Sequence, residues 1–267
     1  MKIPVLPPDI NESLGGFTVV NNEETGEDEI RFGLYTIKNF GEGIADTLIA
    51  ERKENGPYYS LTDLLTRVRD RNLNRKSLEA LIKCGAMDSL GERGRMLSNI
   101  ENMLEFQKGL AKAPQDQNSL FDGLGDRGVK AELRLSESEP ASGDNMLQWE
   151  KELLGLYLSG HPLDKHREKL QRHDNSIDKV KQAANEGVST VIAGIIQALR
   201  PVITKKGDRM AFVTLADYSD TLDVVVFPEA YQKHIDLLQP ETCIAIKGKV
   251  SYRNGQCSLI AEVVKKL

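Results

Sequence analysis

The chain has 267 residues, 40% of them hydrophobic, and 35 Lys and Arg stand against 40 Asp and Glu for a formal net charge of −5. That length suits two domains or one large one, and that hydrophobic share excludes a fully disordered chain. No apolar run approaches the roughly 18 residues that span a bilayer, the N-terminus lacks the apolar centre of a signal peptide, and the scattered Cys84, Cys243 and Cys257 exclude a metal cluster or disulfide scaffold, which reads as a reduced, cytosolic protein.

Residues 1–37 are short extended pieces broken by Pro4, Pro7, Pro8 and Gly15-Gly16, with an acidic turn at 21–29, and close no domain alone. In Lys38–Ile49, Gly41 and Gly43 stand just ahead of an amphipathic pattern of Ile44, Leu48 and Ile49. Glycines permit φ > 0 and close backbone approach, so a tight turn here aims the free amides of a helix N-terminus at an anion such as a DNA phosphate. Gly-x-Gly in this setting is the centre of a helix-hairpin-helix, which grips nucleic acid without reading its sequence; the alternative is an ordinary helix–helix turn. Helices are expected at 44–54, at 60–69 behind a Ser60-x-x-Asp63 capping box, and at 74–84 behind Asn74. These make two consecutive hairpins, the second turning through Arg71–Lys76. A fourth helix opens at about Arg93, with Met96, Ile100, Met103 and Leu104 on its apolar face.

Residues 111–143 have the composition of a linker. Within it, Gln117-Asn118-Ser119-Leu120-Phe121 sets a large apolar pair on a polar stretch with no core to serve. Gln117, Leu120 and Phe121 resemble the extended peptide by which bacterial DNA enzymes hold the ring-shaped sliding clamp, two apolar anchors filling a pocket and Gln bonding at its rim. A helix from about Asp144 is ended by Gly160-His161-Pro162, and a short one follows from about Leu163. From Thr190 the period becomes two, with strands at 190–200, 209–216, 221–227, 242–252 and 256–264 and a helix at about 228–238. Asn254-Gly255 signals a type I′ hairpin, whose register sets Cys257 opposite about Tyr252 and keeps it from Cys243. Five strands with a helix between the third and fourth is the order of an OB barrel, which commonly takes single-stranded nucleic acid or oligosaccharide. The expected fold class is therefore multidomain α + β: a helical tandem helix-hairpin-helix domain followed by a five-stranded OB-type β-barrel.

Net negative charge conceals a basic face. Residues 38–76 hold eight Lys or Arg against six acids, and Arg67–Lys76 holds five basics against Asp70 alone, whereas 121–150 holds seven acids against three basics. The expected duplex contacts are Lys38, Asn39, Gly41, Gly43, Asn74, Arg75 and Lys76; the alternative for the basics is a solvated helix face. On the barrel, Lys205, Lys206, Arg209, Tyr218, Tyr252 and Arg253 are candidates for single-strand contacts, with Arg200 near the groove and Phe212, Phe227 and Tyr231 as further aromatics that could stack on bases. Phe212 and Phe227 are expected in the core, as strand aromatics usually are. No Walker loop, Gly-x-Ser-x-Gly or His-Glu-x-x-His occurs, the four histidines lack metal spacing, and Asp208, Asp217 and Asp220 suit solvated turns. No catalytic residue and no metal site is expected in this chain.

In order along the chain come Val5-Leu6-Pro7-Pro8-Asp9-Ile10-Asn11, Ile30–Leu34, Ile37–Gly43, Leu78–Asp88, Gln117–Phe121 and Glu152-Leu153-Leu154-Gly155-Leu156-Tyr157-Leu158-Ser159-Gly160-His161-Pro162-Leu163. With the barrel last, this closely resembles the C-terminal part of the bacterial DNA polymerase III alpha subunits, the C-family replicases. The resemblance implies that 1–37 is the end of a fingers-like region, 38–113 the tandem helix-hairpin-helix DNA-binding region, 114–143 a linker with the clamp-binding motif, 144–175 a helical connector and 188–267 the OB-fold domain. It implies duplex DNA, single-stranded template DNA, the sliding clamp and other replicase subunits as partners, no membrane, and a bacterial cytoplasmic location. The family's catalytic palm, whose carboxylates hold Mg ions, would lie upstream. The parent would be a DNA-directed DNA polymerase, a nucleotidyltransferase, but this chain is expected to be inactive alone and to carry no cofactor. Met1 is then an odd start, suggesting a truncated form or partial gene. The expected function is tethering, with duplex held by the hairpins and the clamp by the linker peptide in support of processive replication. The alternative is a freestanding DNA repair or recombination factor with the same modules.

Overall fold

The computed structural model describes residues 3–112, 133–171, 176–183, 185–253 and 255–267. The chain divides into two compact units, Met1–His161 and Pro162–Leu267, each with a hydrophobic core of its own.

In the first unit, β1 (Val5–Leu6) lies parallel to β3 (Asp28–Arg31), and β2 (Thr18–Asn21) pairs with β3 antiparallel. Pro7 and Pro8, which have no N–H to donate, follow β1 directly. The chain then turns through Asp9–Ser13. Asp9 accepts the Asn11 amide, and the Asn11 side chain exchanges two hydrogen bonds with the Tyr58 backbone. Buried Arg52, on α1 (Glu42–Asn55), donates to the carbonyls of Ile10 and Ser13 at 2.6 and 2.8 Å. Ile10, Phe32 and Leu34 thereby share one core with Leu48, Leu64 and Leu81.

Among the described residues, the remaining α-helices of this unit are α2 (Leu61–Arg67), α3 (Arg75–Lys83), α4 (Arg93–Ser98), α5 (Ile100–Lys112) and α6 (Gly143–Leu154). Ser60 caps α2 by accepting the Asp63 amide. Asn74 closes a reciprocal box on α3: its Oδ1 accepts the Lys76 and Ser77 amides, and Ser77 Oγ accepts the Asn74 amide. Two helices differ from expectation. The single helix from Arg93 is two, interrupted at Asn99 (φ −109°, ψ 15°), whose side chain bonds the Arg95 carbonyl and both backbone groups of Ser136. The helix expected to reach Gly160 ends at Leu154. There Gly155 takes φ +79°, and the Glu150 carboxylate accepts the Leu158 and Ser159 amides at 2.9 Å, holding that run out of helical geometry.

The second unit opens with a 3-10 turn at Pro162–His166, α7 (Arg167–Gln171) and α8 (Ile177–Ala183). Periodicity did not indicate α8, because only Ile177 and Val180 are its fully buried apolar positions. The turn at Asp217–Asp220 holds it in place. Asp217 accepts the Ile177 amide, Ser219 Oγ accepts that of Asp178, and Lys181 pairs with Asp220. Strands β4 (Ser189–Ile203), β5 (Arg209–Ala216), β6 (Thr221–Val226), β7 (Cys243–Arg253) and β8 (Gln256–Lys266) close a barrel in the order β4-β5-β6-β8-β7, with α9 (Pro228–His234) between β6 and β7. Every ladder is antiparallel except β6–β8, and this is the OB-type topology. Closure requires glycine at two positions. A Cβ at Gly194 would meet the Ala216 carbonyl oxygen at 2.4 Å, and one at Gly248 that of Ile260 at 2.2 Å. Tyr252 pairs with Cys257, and Cys243 and Cys257 are not joined by a disulfide.

Candidate nucleic-acid interface

The turn ahead of α1 runs through Ile37–Phe40. The Phe40 amide donates to the Ile37 carbonyl at 3.2 Å and Asn39 takes φ +66°, as the third residue of a type II turn must. This corrects the reading of the glycines. The positive φ falls on Asn39, whose short polar side chain tolerates it, while Gly41 has φ −81° and Gly43 lies within the first turn of α1. Among the described residues, a Cβ at Gly41 or Gly43 would meet nothing within 4 Å, so none of them requires glycine at either position. Glycine nonetheless costs a helix about 1 kcal/mol against alanine. No side chain caps α1, so its first-turn amides, on exposed Glu42 and Gly43, keep the positive end of the helix dipole unfilled by a cap. The Lys38 amide donates to the Leu153 carbonyl at 3.0 Å, which ties the turn to α6; the Lys38 and Asn39 side chains are exposed.

The second hairpin is finished differently. Thr47 of α1 donates to Asp70 at 3.0 Å, and the Asn72 amide donates to the same carboxylate at 2.8 Å; the Asn72 bond is the main reason its carboxyl titrates below the usual range. Asn74 spends its side-chain oxygen on the α3 amides, which removes them from the donors open to a ligand. Arg75 is paired with both Glu79 and Glu101. Lys76 is exposed. Beside this turn a groove is lined by Arg69, Arg71, Leu73, Leu104, Gln107 and Lys108, with the three cations exposed. Sequence reading counted Arg69 and Arg71 in the basic stretch but missed Lys108, which reaches the groove only because α5 packs across α2 and α3.

On the barrel, Lys205 and Lys206 are exposed in the β4–β5 turn, where Gly207 takes φ +89°, and Arg209 begins β5. Tyr252 and Arg253 end β7 at the β7–β8 turn; Asn254 and the Arg253 side chain lie outside the described residues. The long strand β4 separates these groups, since its last residue, Ile203, pairs with Arg209 and its first, Ser189, with Lys249. Tyr218 is committed within its own unit. Its hydroxyl donates to Asp164 at 2.7 Å and Arg167 lies 5.9 Å from its ring; burial, then that bond, push the hydroxyl up to about 12. Tyr231 is buried. Phe227, expected in the core, is 47% exposed, and Phe212 is half-buried on the outer side of β5. Ala211, Val213 and Leu215 are the β5 core residues, and side chains alternate across a strand, so Phe212 points the other way. Gln117, Leu120 and Phe121 lie outside the described residues. Among the described residues no group of three His, Cys, Asp or Glu stands ready to hold a metal ion, and no helix is long and apolar enough to cross a membrane.

A tandem helical hairpin region followed by an OB-type barrel defines a nucleic-acid-binding class of chain. Accordingly, residues 2–97 match the family model of the helix-hairpin-helix motif, and residues 190–267 that of the OB-fold nucleic acid binding domain. The chain belongs to the family of the bacterial DNA polymerase III alpha subunits. It is 32% identical to the DNA polymerase III subunit alpha of Borreliella burgdorferi over 98% of its length and 23% of that protein, and 36% identical to that of Deinococcus radiodurans over 99% of its length and 20% of that protein. It thus spans about a fifth of these relatives. Among solved structures, Rim1, a mitochondrial single-stranded DNA binding protein of S. cerevisiae, aligns with 31% of this chain and 96% of its own at 12% identity and a TM-score of 0.27, too slight a likeness to carry an argument.

Proposed function

We propose that this chain is the DNA-holding and clamp-tethering portion of a bacterial replicative polymerase, working in the cytoplasm with the duplex, the single-stranded template, the sliding clamp and the other replicase subunits. The observation that carries the reading is the uncapped N-terminus of α1, where two glycines that the fold does not require leave open space beside exposed amides and Lys38. A duplex backbone approaches such a surface closely, its phosphate taking the amides, with Lys38, Lys76, Arg69, Arg71 and Lys108 supplying further charge. Arg75 and Asn74 act indirectly, ordering α3. Lys205, Lys206 and Arg209 serve the single strand. Gln117, Leu120 and Phe121 engage the clamp, so that the second contact is effectively intramolecular and processivity rises. The polymerase chemistry, with its Mg ions, belongs to the palm of the parent protein.

Leu120→Ala with Phe121→Ala in the full chain is expected to abolish binding to a purified sliding clamp in a titration while leaving duplex DNA affinity within twofold. Clamp affinity that survives the double substitution would remove the motif from the reading.

A further inference from the structure

The sheet β1-β3-β2 has two outer edges, and only one of them is guarded. Pro4 precedes β1 and Pro7 and Pro8 follow it, and proline has no N–H to offer a further strand. β2 has no such guard, since Thr18-Val19-Val20-Asn21 holds neither proline nor charge. Its backbone is aimed outward at one position in particular. The Ile30 amide donates to the Pro4 carbonyl at 2.9 Å, and the Phe32 amide to that of Leu6 at 3.1 Å. Ile30 thus spends its backbone groups on β1, and Val19 opposite it forms a non-hydrogen-bonded pair whose N–H and C=O point away from β3. Among the described residues, no other element takes them. One face beside this edge is apolar. Register sets Val5, Ile30 and Val19 in a row, and beyond it the Phe17 ring meets that of Phe32 edge-on at 4.6 Å. Val19 is 70% exposed and Phe17 55%. The turn after β2 is acidic: Glu23, Glu24, Glu27 and Asp28 are exposed, and no Lys or Arg occurs from Thr18 to Ile30.

We propose that β2 is the docking edge for a partner's extended segment of alternating aliphatic and basic residues, which joins the sheet as a fourth strand. Main-chain hydrogen bonds to Val19 and Asn21 attach it, aliphatic side chains cover Val19 and Phe17, and the cations meet the acidic turn. Charge selects this occupant over a second copy of the chain, whose β2 has no cation to set against Glu23 and Glu24.

Fluorescence anisotropy on the full chain tests the edge with a short labelled peptide of alternating Val and Lys, beside a Val-Glu peptide and oligolysine of equal length. Only the Val-Lys peptide is expected to bind. Val19→Pro spares the ladder to β3, which does not use that amide, and is expected to weaken binding about tenfold through lost edge hydrogen bonds. Val19→Thr keeps the amide and the branched shape and retains most of the affinity. Val19→Lys sets a like charge at the edge and loses it, a second variant that stands should the proline chain not fold. Glu23→Gln with Glu24→Gln weakens binding and flattens its salt dependence. No binding of the Val-Lys peptide by the unsubstituted chain overturns the proposal. Equal binding of oligolysine, or full affinity in a Val19→Pro chain with an unchanged far-ultraviolet circular dichroism spectrum, overturns the edge. Equal binding of the Val-Glu peptide overturns the basic occupant, and self-association that Val19→Pro abolishes gives the edge to a second copy instead.

Discussion

Glu150 and Arg93 meet inside the first unit with 1% and 6% of their side chains exposed. Arg93 also holds Asp88 and the Lys83 carbonyl, and Glu150 holds the Leu158 and Ser159 amides. Removing Glu150 leaves Arg93 its Asp88 partner but strands the Leu158 and Ser159 amides, at about 1–3 kcal/mol for buried donors left without a partner. Glu150→Ala is therefore expected to destabilise the first unit by that amount, read as a lower urea midpoint with an unchanged slope. The consequence is local to function as well. The Leu153 carbonyl, three residues on, accepts the Lys38 amide, so the start of the run by which the family resemblance is strongest ties down the first hairpin turn. Nothing in the residue types announced that role, because carboxylate-to-amide bonds across a loop leave no periodicity.

Among the elements, α1 and α3 are opposite solutions to one problem. Both begin with exposed first-turn residues, but α3 satisfies its own amides through Asn74 and Ser77, and α1 does not. A helix that leaves its N-terminus uncapped and places glycine in its first turn forgoes stability that a single substitution restores. Gly43→Ala is expected to raise the thermal midpoint of the first unit, by up to about 1 kcal/mol of stability, and to weaken duplex DNA binding severalfold. An unchanged duplex affinity, measured at one fixed salt concentration, would show that the open space at Gly43 has no ligand. The strands follow a different rule. Their spans are close to legible because alternation survives in β5 and β6. Residue type alone sets Phe212 and Phe227 in the core, and type yields to the parity of neighbouring core residues.

At the scale of the whole molecule, two cores divide the work. Ile10 to Leu154 form the first, and Ile177 to Val264 the second. Each is complete without residues of the other, so residues 162–267 expressed alone are expected to unfold in one cooperative transition, by circular dichroism and by fluorescence alike. Non-coincident transitions would mean that the barrel borrows stability from outside its own core. The closure of that core through the parallel β6–β8 pair brings residue 225 beside residue 260, a contact of long range that favours slow folding over fast.

Local chemistry was enough to set the start of α3 at its Asn74 box, the turn residues of the barrel and the five alternating strands, because caps, turns and period-two burial act over a few residues. The sequence by itself therefore determined the class of the molecule, a helical hairpin region and an OB-type barrel. Only the tertiary structure decided which amides stay open, which cations are already paired, and which aromatics face outward. Arg75 lost its freedom to Glu101 on α5, Lys108 joined a groove from the same helix, and Asn39 took the φ that the glycines had seemed to supply. The first two depend on elements distant in sequence meeting in space, where charge pairing is satisfied only once the core has closed, and the third on a four-residue turn whose φ no residue type announces.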